Sequence, residues 1–399
     1  MRVALVLDRF DPKHGGLEHW AFQLATWLMN RAHEVHIVAA QCGCRTTDAR
    51  LILHPLGSAE SRIAVAEKME QYLKQLPVDV IHDLGSGWYY DVLQPQFGTK
   101  WADHLGNLRS LPWFKRPKYL WKREHRIRLR DAAELERQQY SRLDGQIIAV
   151  SQMTLANLRH FYQIPAEQTT VIHNGVDPNR FSPEVSHQSR TQMRRQLRID
   201  DKVVLIFAGH NFQLKGLETV IRALKRVRER RLHLIVIGRE SSEKWQGLAS
   251  RLGIADQVSF CGFVPEVEPY YAAADAFVQP TCYDPCSLVT LEAAAFGLPV
   301  VTSRFNGAAE LFTHGTNGWI AHNPRNDREV AGYLQALLDD ESRQKMGAAA
   351  REVAVRNTAE GCFERIFQIY LKVSRERRQR GHRAEDYLRE ARKEQSCLD

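Results

Sequence analysis

Short apolar runs alternate with stretches of helical period along most of this chain. Residues 3–8 are apolar, a polar loop R-F-D-P-K-H-G-G follows, and residues 17–32 place Phe22, Leu24, Ala25, Leu28 and Met29 on one side of a helix. Residues 35–39 form a second apolar run. A strand, a helix and a strand in that order predict parallel pairing through a right-handed crossover. Further strands are expected at 79–82, 146–150 and 170–174, with a Ser151-capped helix reaching about Tyr162. The segment H-N-G-V-D-P-N-R-F-S-P then carries turn-forming residues and no helical period, which suits a linker. Beyond it the alternation starts again, with strands at 203–208, 232–237 and 258–261. Helices are expected at 217–230, up to about Leu248, and at 266–274. The pattern therefore predicts an α/β chain of two Rossmann-like domains, at 1–182 and 183–373. The last stretch, 374–399, has eight basic and six acidic side chains and few apolar ones, as in an exposed helix or frayed tail.

Composition agrees with two ordinary globular domains. The chain has 399 residues, 44% hydrophobic and 26% charged. No apolar run approaches the roughly 20 residues of a membrane span. The first residues, M-R-V-A-L-V-L-D, reach Asp8 too soon for a secretory signal and read as a strand. Seven cysteines without paired spacing suggest reduced thiols. Cys42-x-Cys44 and Cys282-x3-Cys286 lack partners at zinc spacing. A cytoplasmic protein is expected.

Charge is concentrated in one place. Residues 100–130 hold ten Lys or Arg against Asp103 and Glu124, so this window alone matches the net +8 of the whole chain. Trp113, Phe114, Tyr119, Leu120 and Trp121 are interleaved with the cations. Such a mixture fits an anionic membrane surface, where aromatic rings sit among the headgroups. The expected location is thus peripheral, on the inner face of the cytoplasmic membrane. No nucleic-acid-binding motif accompanies the window, and no nucleic-acid partner is expected.

Candidate chemistry centres on 284–299, D-P-C-S-L-V-T-L-E-A-A-A-F-G-L-P. Leu288, Leu291, Ala294 and Ala295 fall at helical spacing, so a short buried helix should begin near a Ser287 N-cap and end at Gly297. A loop running into a helix N-terminus offers backbone N–H groups to a phosphate. Asp284 stands in that loop and Glu292 inside the helix. A carboxylate in an apolar helix needs a partner, whether a basic neighbour or sugar hydroxyls.

Acid-x7-acid followed by a small-residue helix and G-L-P-V-V resembles the signature of family 4 retaining glycosyltransferases of GT-B fold, a group that includes lipopolysaccharide core glucosyltransferases. The resemblance implies two Rossmann-like domains facing a cleft, with the nucleotide-sugar donor held mainly by the second and the acceptor by the first. It implies that Asp284 binds donor-sugar hydroxyls and Glu292 the ribose. Lys215, in G-H-N-F-Q-L-K-G beside Asn211, would contact the diphosphate. Gly15 and Gly16 resemble the family's glycine-rich loop, and Val264 in F-C-G-F-V-P would meet the base. Leaving-group charge would be met by Lys215 and by backbone N–H groups near Ser287 and Leu288, making Asp284 and Lys215 the catalytic candidates. Two departures bear on the sugar more than on the reaction: Asp284 is one methylene shorter than the usual Glu, and Ser287 replaces a common Gly.

The acceptor side is read from L-G-S-G-W-Y-Y-D-V-L-Q-P-Q-F-G-T. Ligands gather at the C-terminal ends of parallel strands, which makes Asp91, Gln94 and Gln96 candidates. No D-x-D pair occurs, so neither a metal nor any other cofactor is expected beyond the donor as co-substrate. The implied activity is retaining transfer of a hexose, with UDP-glucose or UDP-N-acetylglucosamine favoured, to a lipopolysaccharide-core, lipid-linked or other glycan. Rival classes are a sugar-nucleotide epimerase of the same fold and a non-catalytic nucleotide-sugar-binding protein. A nucleic-acid-binding protein would need the basic window to bind DNA or RNA with salt-dependent affinity.

Overall fold

The first apolar run becomes β1, Arg2–Phe10, in which Val3, Ala4, Leu5, Val6 and Leu7 are all fully buried. Burial on both faces explains why this strand reads as a continuous apolar run and not an alternating one. In this computed structural model the described residues are 1–395 without 45, 143, 185 and 186, and without the side chains of 124, 125, 187, 188, 378 and 380–395. After β1 come α1 (Gly16–Asn30), β2 (Glu34–Cys42), β3 (Leu51–Pro55), α2 (Arg62–Leu73), β4 (Val80–Asp83) and β5 (Val92–Leu93). The first domain continues with α3 (Lys100–Ser110), α4 (Arg116–Trp121), α5 (Arg123–Tyr140), β6 (Gln146–Ala149), α6 (Gln152–Tyr162) and β7 (Thr169–Val171). Among the described residues its seven strands are all parallel, in the order β3-β2-β1-β4-β5-β6-β7.

The second domain repeats the architecture. It runs through α7 (His187–Leu197), β8 (Val203–Ala208), α8 (Leu217–Val227), β9 (Leu232–Ile237), α9 (Glu243–Arg251), β10 (Val258–Gly262) and α10 (Glu268–Ala273). Then follow β11 (Ala276–Val278), α11 (Leu288–Ala295), β12 (Val300–Ser303), β13 (Gly318–Ala321), α12 (Asp327–Ala336), α13 (Asp340–Arg356) and α14 (Ala359–Gln395). The sheet is parallel, in the order β10-β9-β8-β11-β12-β13. In each sheet the strand order reverses beside the domain's first strand, between β1 and β4 and between β8 and β11. Crevices at such switch points bind ligands in open α/β sheets, so the loops after β1 and β8 frame the expected site.

The last helix ties the halves together. It packs Phe363, Ile366 and Tyr370 into the core of the first domain, with Phe363 edge-on to Trp20 at 5.6 Å and the Tyr370 hydroxyl 2.6 Å from His82 Nδ1. Other contacts cross the cleft directly. Glu310 accepts the N–H groups of Gln152 and Met153 at 2.8 and 2.7 Å, so a second-domain carboxylate caps α6 of the first. Arg109 donates to the Cys282 carbonyl at 2.6 Å with its guanidinium 3.7 Å from the Phe305 ring centroid.

That contact divides the basic window. Arg109 serves the domain interface and half-buried Lys100 lines an open cavity, while Lys115, Lys118, Lys122, Arg123 and Arg126 are exposed. Trp113, Phe114 and Trp121 stand out beside them, 78%, 61% and 83% exposed. Tyr119 instead turns inward and stacks on His104. No helix among the described residues is long and apolar enough to cross a membrane.

Candidate active site in the interdomain cleft

The loop before α11 brings the two charged candidates together. Lys215 Nζ lies 2.6 Å from Asp284 Oδ2, both side chains largely buried. Lys215 is placed by the turn that opens α8, where Gly216 has φ +86° and a Cβ would sit 2.3 Å from the Pro280 carbonyl. Only glycine fits there. The 284 loop is fixed by Asn306, whose carboxamide oxygen accepts from Ser287 N at 3.2 Å and whose Nδ2 donates to Thr290 and Thr302 at 3.0 Å.

Ser287 occupies the N-cap position of α11 but its side chain does not cap. Its hydroxyl points instead to Gln279 Oε1 at 3.4 Å, while its own N–H donates to Asn306. The helix therefore begins without a side-chain acceptor, and the N–H groups it offers a ligand start at Leu288.

Facing this helix end is the loop after β1. A Cβ on Gly16 would lie 3.4 Å from Leu288 Cδ1, so the glycine loop and the second-domain helix are in near contact. Between the domains is a cavity of about 220 Å³ lined by Gly15, Gly16, Val264, Leu288 and Glu292, together with His14, His19, Arg180, His210 and Tyr271. Glu292 accepts from the Tyr271 hydroxyl at 2.9 Å, and burial pushes its carboxyl up to about 7. Arg180 reaches from the linker to pair with Glu268 at 2.6 Å and to touch His19 of α1. Burial, then the Arg180 charge, lowers the pKa of His19. Arg239, after β9, spans the cleft to the Lys13 carbonyl at 2.6 Å and packs over Phe263 at 3.9 Å. A slot with glycines on one side, a helix start on the other and cations at its ends can hold a diphosphate. Among the described residues no three His, Cys, Asp or Glu side chains gather as a metal-ligand set.

Comparison with known proteins agrees with this geometry. The family described as Glycosyltransferase Family 4 matches residues 14–180, and Glycosyl transferases group 1 matches 189–353. The chain belongs to the GT-B glycosyltransferases. It is similar to the lipopolysaccharide glucosyltransferase WaaG of Escherichia coli, 25% identical over 367 residues, covering 89% of this chain and 94% of that protein. The crystal structure of WaaG superposes with a TM-score of 0.77 at 22% identity, over 92% of this chain and 99% of that one. A GDP-mannose-dependent phosphatidylinositol monomannoside mannosyltransferase of Mycobacterium tuberculosis is 25% identical over 377 residues, 88% of this chain and 93% of that protein. HepE of Anabaena, solved with UDP-glucose, has a TM-score of 0.71 at 20% identity, covering 94% and 99%.

The remaining candidates of this glycosyltransferase sit in different surroundings. Asn211 takes a left-handed conformation, φ 55°, and its side chain accepts from Leu214 N at 3.2 Å, shaping the turn that carries Lys215. Asp91 accepts from Ile81 N at 2.8 Å and pairs with Arg377 of α14 at 3.0 Å, away from the cleft. Gln94 is fully buried beside His82. Gln96 comes closer to the site. Its Oε1 accepts from Asn174 Nδ2 at 3.3 Å, and the same Nδ2 is 3.0 Å from the Cys286 carbonyl. Sequence reasoning missed His19, Arg180, Arg239 and Tyr271 as cleft residues. Arg180 had a signal: it stands in N-G-V-D-P-N-R-F, a segment read only as a linker. Arg239 had one too, directly after the β9 apolar run at a strand end.

Proposed function

We propose that the protein is a retaining, metal-independent hexosyltransferase. It takes a nucleotide-diphosphate sugar, with UDP-glucose or UDP-N-acetylglucosamine favoured, and glycosylates a lipopolysaccharide-core, lipid-linked or other glycan. The observation that carries this reading is the Lys215–Asp284 pair in the loop that leads to the uncapped start of α11, whose Leu288 faces Gly16. In this reading the diphosphate lies between Lys215 and the Leu288 N–H, whose charge and dipole stabilise the leaving group without a metal. Asp284 orients the sugar through its hydroxyls, Glu292 and Val264 take the ribose and base, and the first domain presents the acceptor. Similarity to a lipopolysaccharide glucosyltransferase supports glucose as the sugar and the UDP-glucose complex of HepE supports the uridine donor, while the mannosyltransferase relative makes GDP-mannose the alternative to test.

The exposed aromatics and cations of 113–126 support docking of the first domain on an anionic membrane from the cytoplasmic side.

Thermal-shift screening with UDP and GDP, followed by NMR of the product anomer, tests the reading. UDP should raise the melting temperature by mass action, and the product should keep the donor's anomeric configuration. Inversion, or donor converted to an epimer without acceptor, would overturn it. Nucleotide binding with no transfer to any glycan would favour the non-catalytic alternative.

A further inference from the structure

A second cavity, about 700 Å³, opens in the first domain beside the donor cleft. Asp8 and Arg9 from the end of β1 form one wall, and the starts of α2 and α3 with part of α5 form the others. Arg9 joins the two cavities: it donates to Gln41 Oε1 at 2.7 Å and lies 3.1 Å from the ring of His14, which lines the donor cleft. Both helices at the wall are well capped. Ser61 Oγ accepts from Ala64 N at 3.1 Å in α2, and Thr99 Oγ1 from Ala102 N at 3.3 Å in α3.

Their first residues are the informative ones. Arg62 and Lys100 both line the cavity, and neither side chain has an ion pair or hydrogen bond among the described residues. Lys100 Nζ is 5.4 Å from the Phe97 ring centroid. Burial, and next the Arg62 charge, lowers the pKa of Lys100, with Asp103, Glu136 and Asp8 acting the other way, so the two cations repel each other and nearby carboxylates offset this only in part. Asp8, Glu60, Asp103 and Asp131 also reach the walls, as do Arg9 and Arg128. Carboxylates accept hydroxyl protons, which suits a sugar ring. Carboxylates alone would serve a neutral sugar; two cations at helix starts, neither in a contact ion pair among the described residues, call for an anion as well.

We propose that this cavity holds an acceptor sugar bearing a phosphate or carboxylate, bound through Arg62 and Lys100. Its assignment to the acceptor rests on the glycosyl-transfer reading. The arrangement would let the charged sugar anchor in the first domain while a neighbouring hydroxyl of the same glycan reaches past Arg9 to the donor cleft.

The experiment is a ligand-observed NMR titration of the full-length protein saturated with UDP, which occupies the donor cleft. The probes are glucose, glucose 6-phosphate, glucuronate and inorganic phosphate. At least one charged sugar should bind roughly tenfold tighter than glucose, the scale of one charge-assisted hydrogen bond. The phosphate and carboxylate arms identify the anion. Arg62→Gln and Lys100→Gln should each remove about that factor, with UDP affinity unchanged as the control for folding, and Lys100→Arg should restore it. No binding by either charged sugar, equal binding of glucose, or charged-sugar binding that survives both substitutions overturns the proposal. So does inorganic phosphate matching the sugars, which would make this a free-anion site. If UDP does not bind at all, the glycosyl-transfer reading falls, and the same titration without UDP still decides the cavity.

Discussion

Lys215 and Asp284 meet at 2.6 Å although 69 residues separate them in the chain. Two expected donor contacts, one for the diphosphate and one for the sugar, are therefore a single electrostatic unit. A bound donor must share the lysine between its own phosphate and Asp284. Lys215→Ala should weaken donor binding by on the order of 1.5–3 kcal/mol, the scale of a hydrogen bond to a charged group. Glu292→Ala should cost a similar amount at the ribose. Because the pair is in contact, Lys215→Ala and Asp284→Ala should be non-additive in a double-mutant cycle of donor affinity. Unchanged nucleotide affinity in both Lys215→Ala and Glu292→Ala would remove this cleft as the donor site.

Asp284 should act on turnover more than on nucleotide binding. Asp284→Asn keeps the shape of the loop and leaves Lys215 free for phosphate, so bare UDP should bind nearly normally. Transfer should fall on the order of a hundredfold, as expected when the anomeric carbon is no longer oriented. Separate measurement of UDP affinity and of turnover at saturating donor decides this. Parent-rate transfer by the Asn variant would take Asp284 out of the reaction.

Glu292 carries a pH signature. Burial raises its folded-state pKa from 4.5 to about 7. The folded protein thus holds a proton that the unfolded chain releases at lower pH. Its stabilising contribution is complete below about 4.5 and is lost as pH rises through about 7, amounting to no more than about 3 kcal/mol. Asp83, also pushed up to about 7 by burial, adds a slope of the same sign in the parent. The test is therefore a difference: denaturant unfolding of Glu292→Gln should show a flatter decline between pH 4.5 and 7 than the parent. Parallel profiles would mean that Glu292 stays ionised across that range.

Much of this architecture was legible because both sheets are buried on two faces. Runs such as 203–208 and 232–237 can only be core strands in such a layered fold, and the structure has Val203–Ala208 and Leu232–Ile237 at those bounds. Local signals were weaker where tertiary partners decide the outcome. Ser287 has the right chemistry for a cap, but its hydroxyl turns to Gln279, a residue just after β11 that no local spacing brings to it. Asp91 sits among strand-end polar residues, yet α14, more than 280 residues later, supplies its partner Arg377. Arg180 and Arg239 reach the cleft only because two domains close on each other. No spacing along the chain encodes that contact. The basic window also mixed two populations, since Lys100 and Arg109 turn inward while their neighbours face solvent.

The outward-facing part of that window yields the last prediction. Lys115, Lys118, Lys122, Arg123 and Arg126 surround Trp113, Phe114 and Trp121 on one exposed region of the first domain. Each cation near an anionic surface contributes roughly 1 kcal/mol, so these five alone suffice for reversible docking. The aromatic rings would add burial at the headgroup level. Such binding must weaken with salt, because screening shortens to about 8 Å at physiological ionic strength. Sedimentation with vesicles of neutral and of anionic lipid, at low and high salt, measures it. The protein should pellet with anionic vesicles at low salt and be released at high salt. Reversing Lys115, Arg116, Lys118, Lys122 and Arg123 to Glu should abolish pelleting and leave UDP affinity intact, since none of the five lines the donor cleft. Equal recovery with neutral vesicles, or none with anionic vesicles at low salt, would make these residues a solvated face and free the acceptor from any membrane.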